Sequence, residues 1–311
     1  MKKDVTIICN GKYPRRMRKV QALADLLAPH ARVTIRVSTG VRHAEVLARE
    51  ASADGAGYII GAGGDGTINE VVNGMMQFAS DASADAKTLA RLGVLPLGTG
   101  NDFARQENLA VTTRQLFESV VRNNYRRIDV GRVEITSEPS KASHRYFINI
   151  ADVGMSGEIS AELSRPDPEH GNGRFHYQRA IFRGFSNYSP RAFRVVTDDF
   201  ERTLKPITIA VANGTTFGGG IKVAPMARVE DGQFEIVMVE HIKLRTYLKF
   251  LPSLIRGRAL VDARVQYRSG DSVVLISEDG QPAPLDIDGD AVWGTAFRIT
   301  CIPNALWILT N

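Results

Sequence analysis

Seven residues, Gly61-Ala62-Gly63-Gly64-Asp65-Gly66-Thr67, stand directly after a short apolar run, Tyr58–Ile60. Glycines at 63, 64 and 66 let a backbone approach a polyanion closely and aim several N–H groups at it. An Asp inside such a cradle is out of place unless a cation or a hydrogen-bond donor intervenes, so Asp65 points to Mg²⁺. By letter the segment also fits the dinucleotide fingerprint Gly-x-Gly-x-x-Gly, which keeps a Rossmann-type oxidoreductase open at this point. A second loop, Gly98-Thr99-Gly100-Asn101-Asp102, follows the apolar run Leu92–Leu97. Two such loops at strand ends are where open α/β sheets bind ligands. No Gly-x-x-x-x-Gly-Lys-Ser/Thr segment exists, which excludes a P-loop enzyme.

The elements that must hold these loops can be read from periodicity. Ile68, Val71, Val72, Met75, Met76 and Ala79 recur at helical spacing, so the first loop opens an amphipathic helix over about Thr67 to Ala79 with the Met pair in its core face. Strands are expected at Val5–Cys9, Arg32–Val37, Tyr58–Ile60 and Leu92–Leu97, and further helices near Arg18–Ala28, Arg42–Ala53 and Thr113–Arg122. That alternation predicts a parallel α/β sheet over residues 1–132. From about Arg127 the texture changes to short strands: Ile128–Ile135, Tyr146–Ile150, Phe193–Thr197, Ile207–Ala212, Phe234–Val239, Ser272–Ile276 and Ala296–Ile302. An antiparallel sandwich over 133–302 is expected, interrupted by a loop at Arg165–Gly173.

The chain has 311 residues, 43% hydrophobic and 23% charged, a globular balance in which both domains can bury a core. Val5–Cys9 is shorter than the roughly 7–15 apolar residues of a secretory signal, and no stretch reaches the ~20 of a membrane span. Cys9 and Cys301 both lie in strand-like runs, so no disulfide framework is read and a reducing cytoplasm fits. A net charge of +5 favours acidic partners. Aromatics at 7%, without a helix-turn-helix, finger or RRM pattern, make nucleic acid the weakest of them. The basic run Lys12, Arg15, Arg16, Arg18, Lys19 reads as a headgroup contact or a solvated helix face. The basic and apolar segment Ile242–Arg258 reads equally as a bilayer-surface helix or a core-facing helix broken by Pro252. The six histidines lack metal-ligand spacing.

Gly63–Glu70, Leu95–Ala104 and Ile128-Asp129-Val130-Gly131, with Asn213-Gly214, Phe217–Gly220, Ala224-Pro225, Asp231-Gly232 and Asp288-Gly289-Asp290, together resemble the diacylglycerol kinase catalytic-domain family in order along nearly the whole chain. The opening Cys9-Asn10-Gly11-Lys12 resembles its bacterial YegS-type lipid kinases.

The resemblance implies an α/β domain like those of NAD kinases and 6-phosphofructokinases, an antiparallel β-sandwich domain, and a last strand (303–311, near Trp307) that is a candidate to return to the first domain. It implies ATP bound by Gly63, Gly64, Asp65, Gly66, Thr67, Ile68, Asn69, Glu70 and Thr99, with Asn10, Ser38, Thr39 and Asn101 nearby. Asp65, Asp102 and Asp129 would organise a catalytic Mg²⁺, and a structural Mg²⁺ would sit on the Asp231 carboxylate and the main-chain carbonyls of Arg228 and Gln233. The family's Asp-Gly-Glu base reads Asp288-Gly289-Asp290 here, one methylene shorter, so the base is Asp290 or Asp288. The implied activity is ATP-dependent phosphorylation of a hydroxyl on a membrane lipid such as diacylglycerol or phosphatidylglycerol. The protein would then be cytoplasmic and peripherally membrane-associated, and a homodimer is compatible. Two rivals stand beside it: a soluble-metabolite kinase related to NAD kinase, and a nucleotide-binding regulator without turnover.

Overall fold

A computed structural model describes residues 2–11, 16–81, 89–106, 108–136, 143–163, 185 and 188–311, with the side chains of 161–163 excepted. Lys12, Arg15 and the 165–173 loop lie outside the described residues. The chain divides into two compact units, Met1–Val130 with Pro303–Asn311, and Gly131–Ile302.

The first unit alternates β1 (Lys3–Asn10), α1 (Met17–Leu27), β2 (Ala31–Ser38), α2 (His43–Ala53), β3 (Tyr58–Gly63), α3 (Asp65–Asp81), β4 (Arg91–Pro96) and α4 (Thr113–Arg122), and ends in the start of β5 (Tyr125–Thr136). Strand order is β2-β1-β3-β4, all parallel. Val5, Ile7 and Cys9 of β1 pack with Val20, Leu23 and Leu27 of α1 and Leu116 and Val120 of α4. On α3, Met75 and Met76 are buried core residues. Trp307 and Ile308, on the last strand, pair parallel with Arg91 and Leu92 of β4. The Trp307 ring meets Tyr125 edge-on at 5.0 Å and lies 4.6 Å beneath the Arg127 guanidinium.

The second unit begins within β5 and adds β6 (Ser143–Phe147), β7 (Ile150–Gly154), α5 (Met155–Leu163), β8 (Phe193–Val196), β9 (Glu201–Leu204), β10 (Pro206–Ala212), β11 (Phe234–Glu240), α6 (Leu244–Ile255), β12 (Val265–Gly270), β13 (Ser272–Ser277), β14 (Ala283–Ile287), β15 (Asp290–Gly294) and β16 (Ala296–Leu309). One antiparallel sheet runs β12-β11-β10-β7-β14-β15. Opposite it, β13 pairs with β16 and β8, and β8 with β9. Their inner faces share one core that includes Phe193, Ile209, Phe234, Leu275 and Phe297, joined by Phe147 of β6, which pairs with β5, in the alternating pattern of a sandwich.

The structure departs from the strand expectation at Tyr146–Ile150, which breaks into β6 and β7. Helix α5 and strands β9, β12, β14 and β15 were not legible. They are short, and their few residues carry little periodicity. Helix α2 packs on α3 at Gly74, where an added Cβ would lie 2.1 Å from the Glu45 carbonyl oxygen. Gly74→Ala is therefore expected to force the two helices apart and cost about 1–3 kcal/mol, read as a lowered Tm in thermal unfolding.

Candidate functional site

The carboxyl ends of the parallel strands carry the glycine loops. Asn10 ends β1 opposite Ser38, the last residue of β2, and Gly63 ends β3 opposite Pro96 of β4. The Leu97 N–H then donates to the Gly63 carbonyl at 2.7 Å, which draws the two loops together as they leave the sheet. Their contact is backbone on backbone: a Cβ on Gly98 would lie 2.4 Å from the Gly64 Cα. A Cβ on Gly63 would meet the Thr67 side chain at 2.5 Å, whereas one on Gly66 would have nothing within 4 Å. The close approach at Gly64 is thus to the second loop, and Gly66, exposed in the first turn of α3, faces the open space.

The second loop is clipped from within. The Gly98 N–H donates to Asn101 Oδ1 at 2.8 Å, and Asn101 Nδ2 donates back to the Gly98 carbonyl at 2.9 Å, with Asn101 at φ +52°. Its amide is used on its own loop. Asp65, the first residue of α3, accepts the Phe103 N–H at 3.3 Å across the loops. Burial holds the Asp65 carboxyl above the ordinary carboxylate range, the charge of Asp102 pushes it the same way, and amides of residues 101–103 pull against both. A Cβ on Gly100 would lie 3.0 Å from Asp65 Oδ2 and 3.5 Å from Asp102 Oδ2, so the two carboxylates converge beneath that glycine. Arg105 braces the loop from outside, 3.5 Å from Asp102 Oδ1 and donating to the Gly100 carbonyl at 3.2 Å.

Other expected site residues hold the scaffold. Both Glu70 oxygens accept amides at the start of α2, from Arg42 at 3.1 Å and Ala44 at 3.0 Å. Asn69 is buried and accepts from Asn73, and Thr39 is bonded to His43 Nδ1. Asp129 is fully buried and accepts the Asn304 N–H at 2.7 Å, which anchors the returning last strand. Among the described residues no group of three or more His, Cys, Asp or Glu side chains could hold a metal ion. Asp65 and Asp102 come together, and Asp129 does not complete a triad with them. Arg228, Asp231 and Gln233 line one pocket of roughly 210 Å³ that also takes in Glu235. Burial raises the Glu235 carboxyl, and its Oε2 accepts the Met226 N–H at 2.7 Å.

The Asp-x-Asp-x-Asp segment separates three carboxylates. Asp288, at φ +52°, accepts the N–H groups of Ile148 (2.9 Å), Asn149 (3.2 Å) and Ile150 (2.8 Å). That nest breaks the expected 146–150 strand, and a carboxylate holding three amides is poorly placed to take a proton. Asp290 is part-exposed, with Arg145 Nη2 at 3.9 Å. Asp286 accepts the Gly289 N–H at 2.8 Å and so shapes the turn that leads to Asp290.

Residues 4–133 match the diacylglycerol kinase catalytic domain family, and residues 152–310 match the YegS C-terminal NAD kinase beta sandwich-like domain. The chain belongs to the YegS-type family of diacylglycerol kinase catalytic domains. A relative from Chromohalobacter salexigens, named "Probable lipid kinase YegS-like", is 31% identical and covers 97% of this chain and 92% of its own length. One of the same name from Serratia proteamaculans is 28% identical over 96% and 92%. In fold the chain is similar to a diacylglycerol kinase structure from Bacillus anthracis (TM-score 0.67, 17% identity, 99% and 97% covered) and to yeast NADH kinase complexed with NADH (0.54, 11%, 100% and 84%). As a member of this kinase family it is a phosphotransferase.

This YegS-type chain also carries a carboxyl pair that motif reading missed. Asp152 of β7 stands directly opposite Asp286 of β14. Ser156 and Ser160, one turn apart on α5, donate to Asp152 and Asp286 respectively. Burial pushes Asp152 up to about 7. Asp286 keeps part of its residue surface exposed, yet desolvation of its carboxyl raises it too, reinforced by the charge of Asp152. Like charges this close resist ionising together, which holds both carboxyls above the ordinary carboxylate range. The available signal was an Asp inside the otherwise apolar strand Ile150–Gly154. A folded-state pKa above the unfolded value adds stability at low pH that is lost as pH rises through about 7. Asp152→Asn is therefore expected to be more stable than wild type at pH 8, by on the order of 2 kcal/mol, with a smaller gain at pH 5. Denaturant unfolding at the two pH values checks this, and an equal effect at both would show that Asp152 titrates normally.

Proposed function

We propose that this protein is an ATP- and Mg²⁺-dependent lipid kinase that phosphorylates a hydroxyl of a membrane lipid of the diacylglycerol or phosphatidylglycerol kind. The observation that carries the reading is the convergence of Asp65 and Asp102 beneath Gly100, beside glycine loops packed backbone to backbone, in a chain whose relatives are named lipid kinases. First-turn amides of a helix lack intrahelical acceptors, and the N-terminus of α3 at Gly66 and Thr67 is suited to the triphosphate. Two neighbouring carboxylates, a half-buried Asp65 with a raised pKa and a buried Asp102, fit a hard cation with oxygen ligands, so Asp65 and Asp102 would hold Mg²⁺. Bound there, the ion would offset charge on the transferring phosphoryl group. Asp231 with the carbonyls of Arg228 and Gln233 is proposed as a second, structural Mg²⁺ site.

Phosphoryl transfer asks the protein mainly for positioning and charge stabilisation. Asp290 takes the proton of the acceptor hydroxyl as its oxygen bonds to the γ-phosphorus. The bond from that phosphorus to the bridging oxygen breaks, and ADP leaves. Asp290 suits this role because its carboxylate is part-exposed, with the Arg145 guanidinium 3.9 Å away. Asp288 is engaged by three backbone amides, and we assign it to building the turn.

Transfer from radiolabelled ATP to bacterial lipid vesicles tests the proposal; label appearing on NAD and not on lipid would establish the soluble-metabolite reading, and no transfer the regulator. Gly66→Val should remain folded and bind ATP at least tenfold more weakly, about 1.4 kcal/mol, as measured by calorimetry. Asp290→Asn should keep ATP binding and lose roughly 10²–10⁴-fold in rate, while Asp290→Glu keeps or raises it. Asp288→Asn should lower Tm, and a stable Asp288→Asn protein without activity would return the base to Asp288.

A further inference from the structure

Helix α6 carries three faces. Tyr247 and Phe250 pack against the core that covers the outer side of the six-stranded sheet, and Leu254 is buried. Leu244, Leu248, Leu251 and Ile255 recur at i, i+4, i+7 and i+11, a second apolar stripe that points elsewhere. On it Leu248 is 47% and Ile255 58% exposed, and Val261 just beyond the helix is 100% exposed. Arg245, Lys249 and Arg256 form the third face, all exposed. From His241 to Val261 there are five Lys or Arg residues and no Asp or Glu. Lys222, also exposed, joins them: its N–H donates to the Leu254 carbonyl at 3.1 Å.

Single exposed leucines are ordinary on protein surfaces. A continuous apolar stripe flanked by a predominantly positive face, to which Asp262 is the nearby counter-charge at Lys249, is not, because no one aqueous partner satisfies both. We propose that α6 is the element by which this protein docks on an anionic lipid bilayer, lying in the interface with Leu248 and Ile255 inward and Arg245, Lys249 and Arg256 at the headgroups. A nucleic acid would meet the charge and leave the leucines in water; a bilayer surface supplies an apolar layer and anionic groups within one helix radius. With 12 residues α6 is about 18 Å long, too short to span. Pro252 has no N–H for the Leu248 carbonyl, which favours a helix resting where water reaches its backbone. The inference extends the lipid-kinase reading by naming how the protein meets its substrate's phase.

The test is co-sedimentation of the full chain, without nucleotide, with vesicles of phosphatidylcholine alone or mixed with phosphatidylglycerol, at low and high salt. Wild type is expected to bind the mixed vesicles at low salt. Lys249→Glu with Arg256→Glu should weaken that binding roughly tenfold or more. Leu248→Ser with Ile255→Ser should weaken it and leave the residue more salt-sensitive, since the apolar part is gone. Unchanged thermal unfolding confirms that both variants are folded. Binding by both variants equal to wild type overturns the proposal, as does retention on heparin without vesicle binding, which would mark a nucleic-acid surface. Vesicle binding through α6 with no phosphoryl transfer to any lipid would sustain the docking surface and remove the kinase reading.

Discussion

Two glycines touching through their backbones, Gly64 after β3 and Gly98 after β4, constrain the rest of the first unit. Parallel strands lie close to 4.8 Å apart, and loops leaving adjacent strands diverge unless their side chains vanish. Here they vanish on both sides. The hydrogen bond from Leu97 to Gly63 starts the approach, the Asn101 clip preserves it, and Asp65 reaches across to the Phe103 amide. Bringing the loops together buries Asp65 and sets Asp102 beside it, and burial first, then the Asp102 charge, raises the Asp65 carboxyl. The electrostatic feature that reads as a cation site is thus a consequence of a steric one.

The aspartates at 286, 288 and 290 show how backbone conformation divides one residue type among three tasks. Asp288 sits in the left-handed region and turns into a nest of three amides. Asp286 lies on β14 facing Asp152 and fastens the turn through Gly289. Asp290 begins β15 and keeps a part-exposed carboxylate. The placement of the turn decides where that short carboxylate arm reaches. The buried Asp152–Asp286 pair, with its serines from α5, is part of what sets that placement.

Much of the architecture was legible because it follows from periodicity. Three-and-a-half-residue spacing on α3, β-branched runs ending in glycine, and the change of texture after Arg127 are local properties of the chain, and most elements they predict stand within a few residues of their place, the broken 146–150 strand and the longer β16 apart. The glycine loops were legible for the same reason: a loop without side chains at a strand end has few other uses. The elements that escaped, α5, β9, β12, β14 and β15, are short and carry polar residues where a strand or helix pattern asks for apolar ones; β9 and β15 are defined by pairing with the strand just before them.

Sequence alone determined the two kinds of sheet, the order of the loops and the set of carboxylates available for chemistry, because residue type and spacing act locally. Tertiary structure decided what each carboxylate does. Ile148–Ile150 receives Asp288 from about 140 residues away, which splits a strand that its own residues would have continued. Glu70 caps a helix that precedes it, and Asp129 holds Asn304 at the far end of the chain. Hydrogen bonding of a charged oxygen depends on which amide lies about 3 Å away, and only folding brings those amides there.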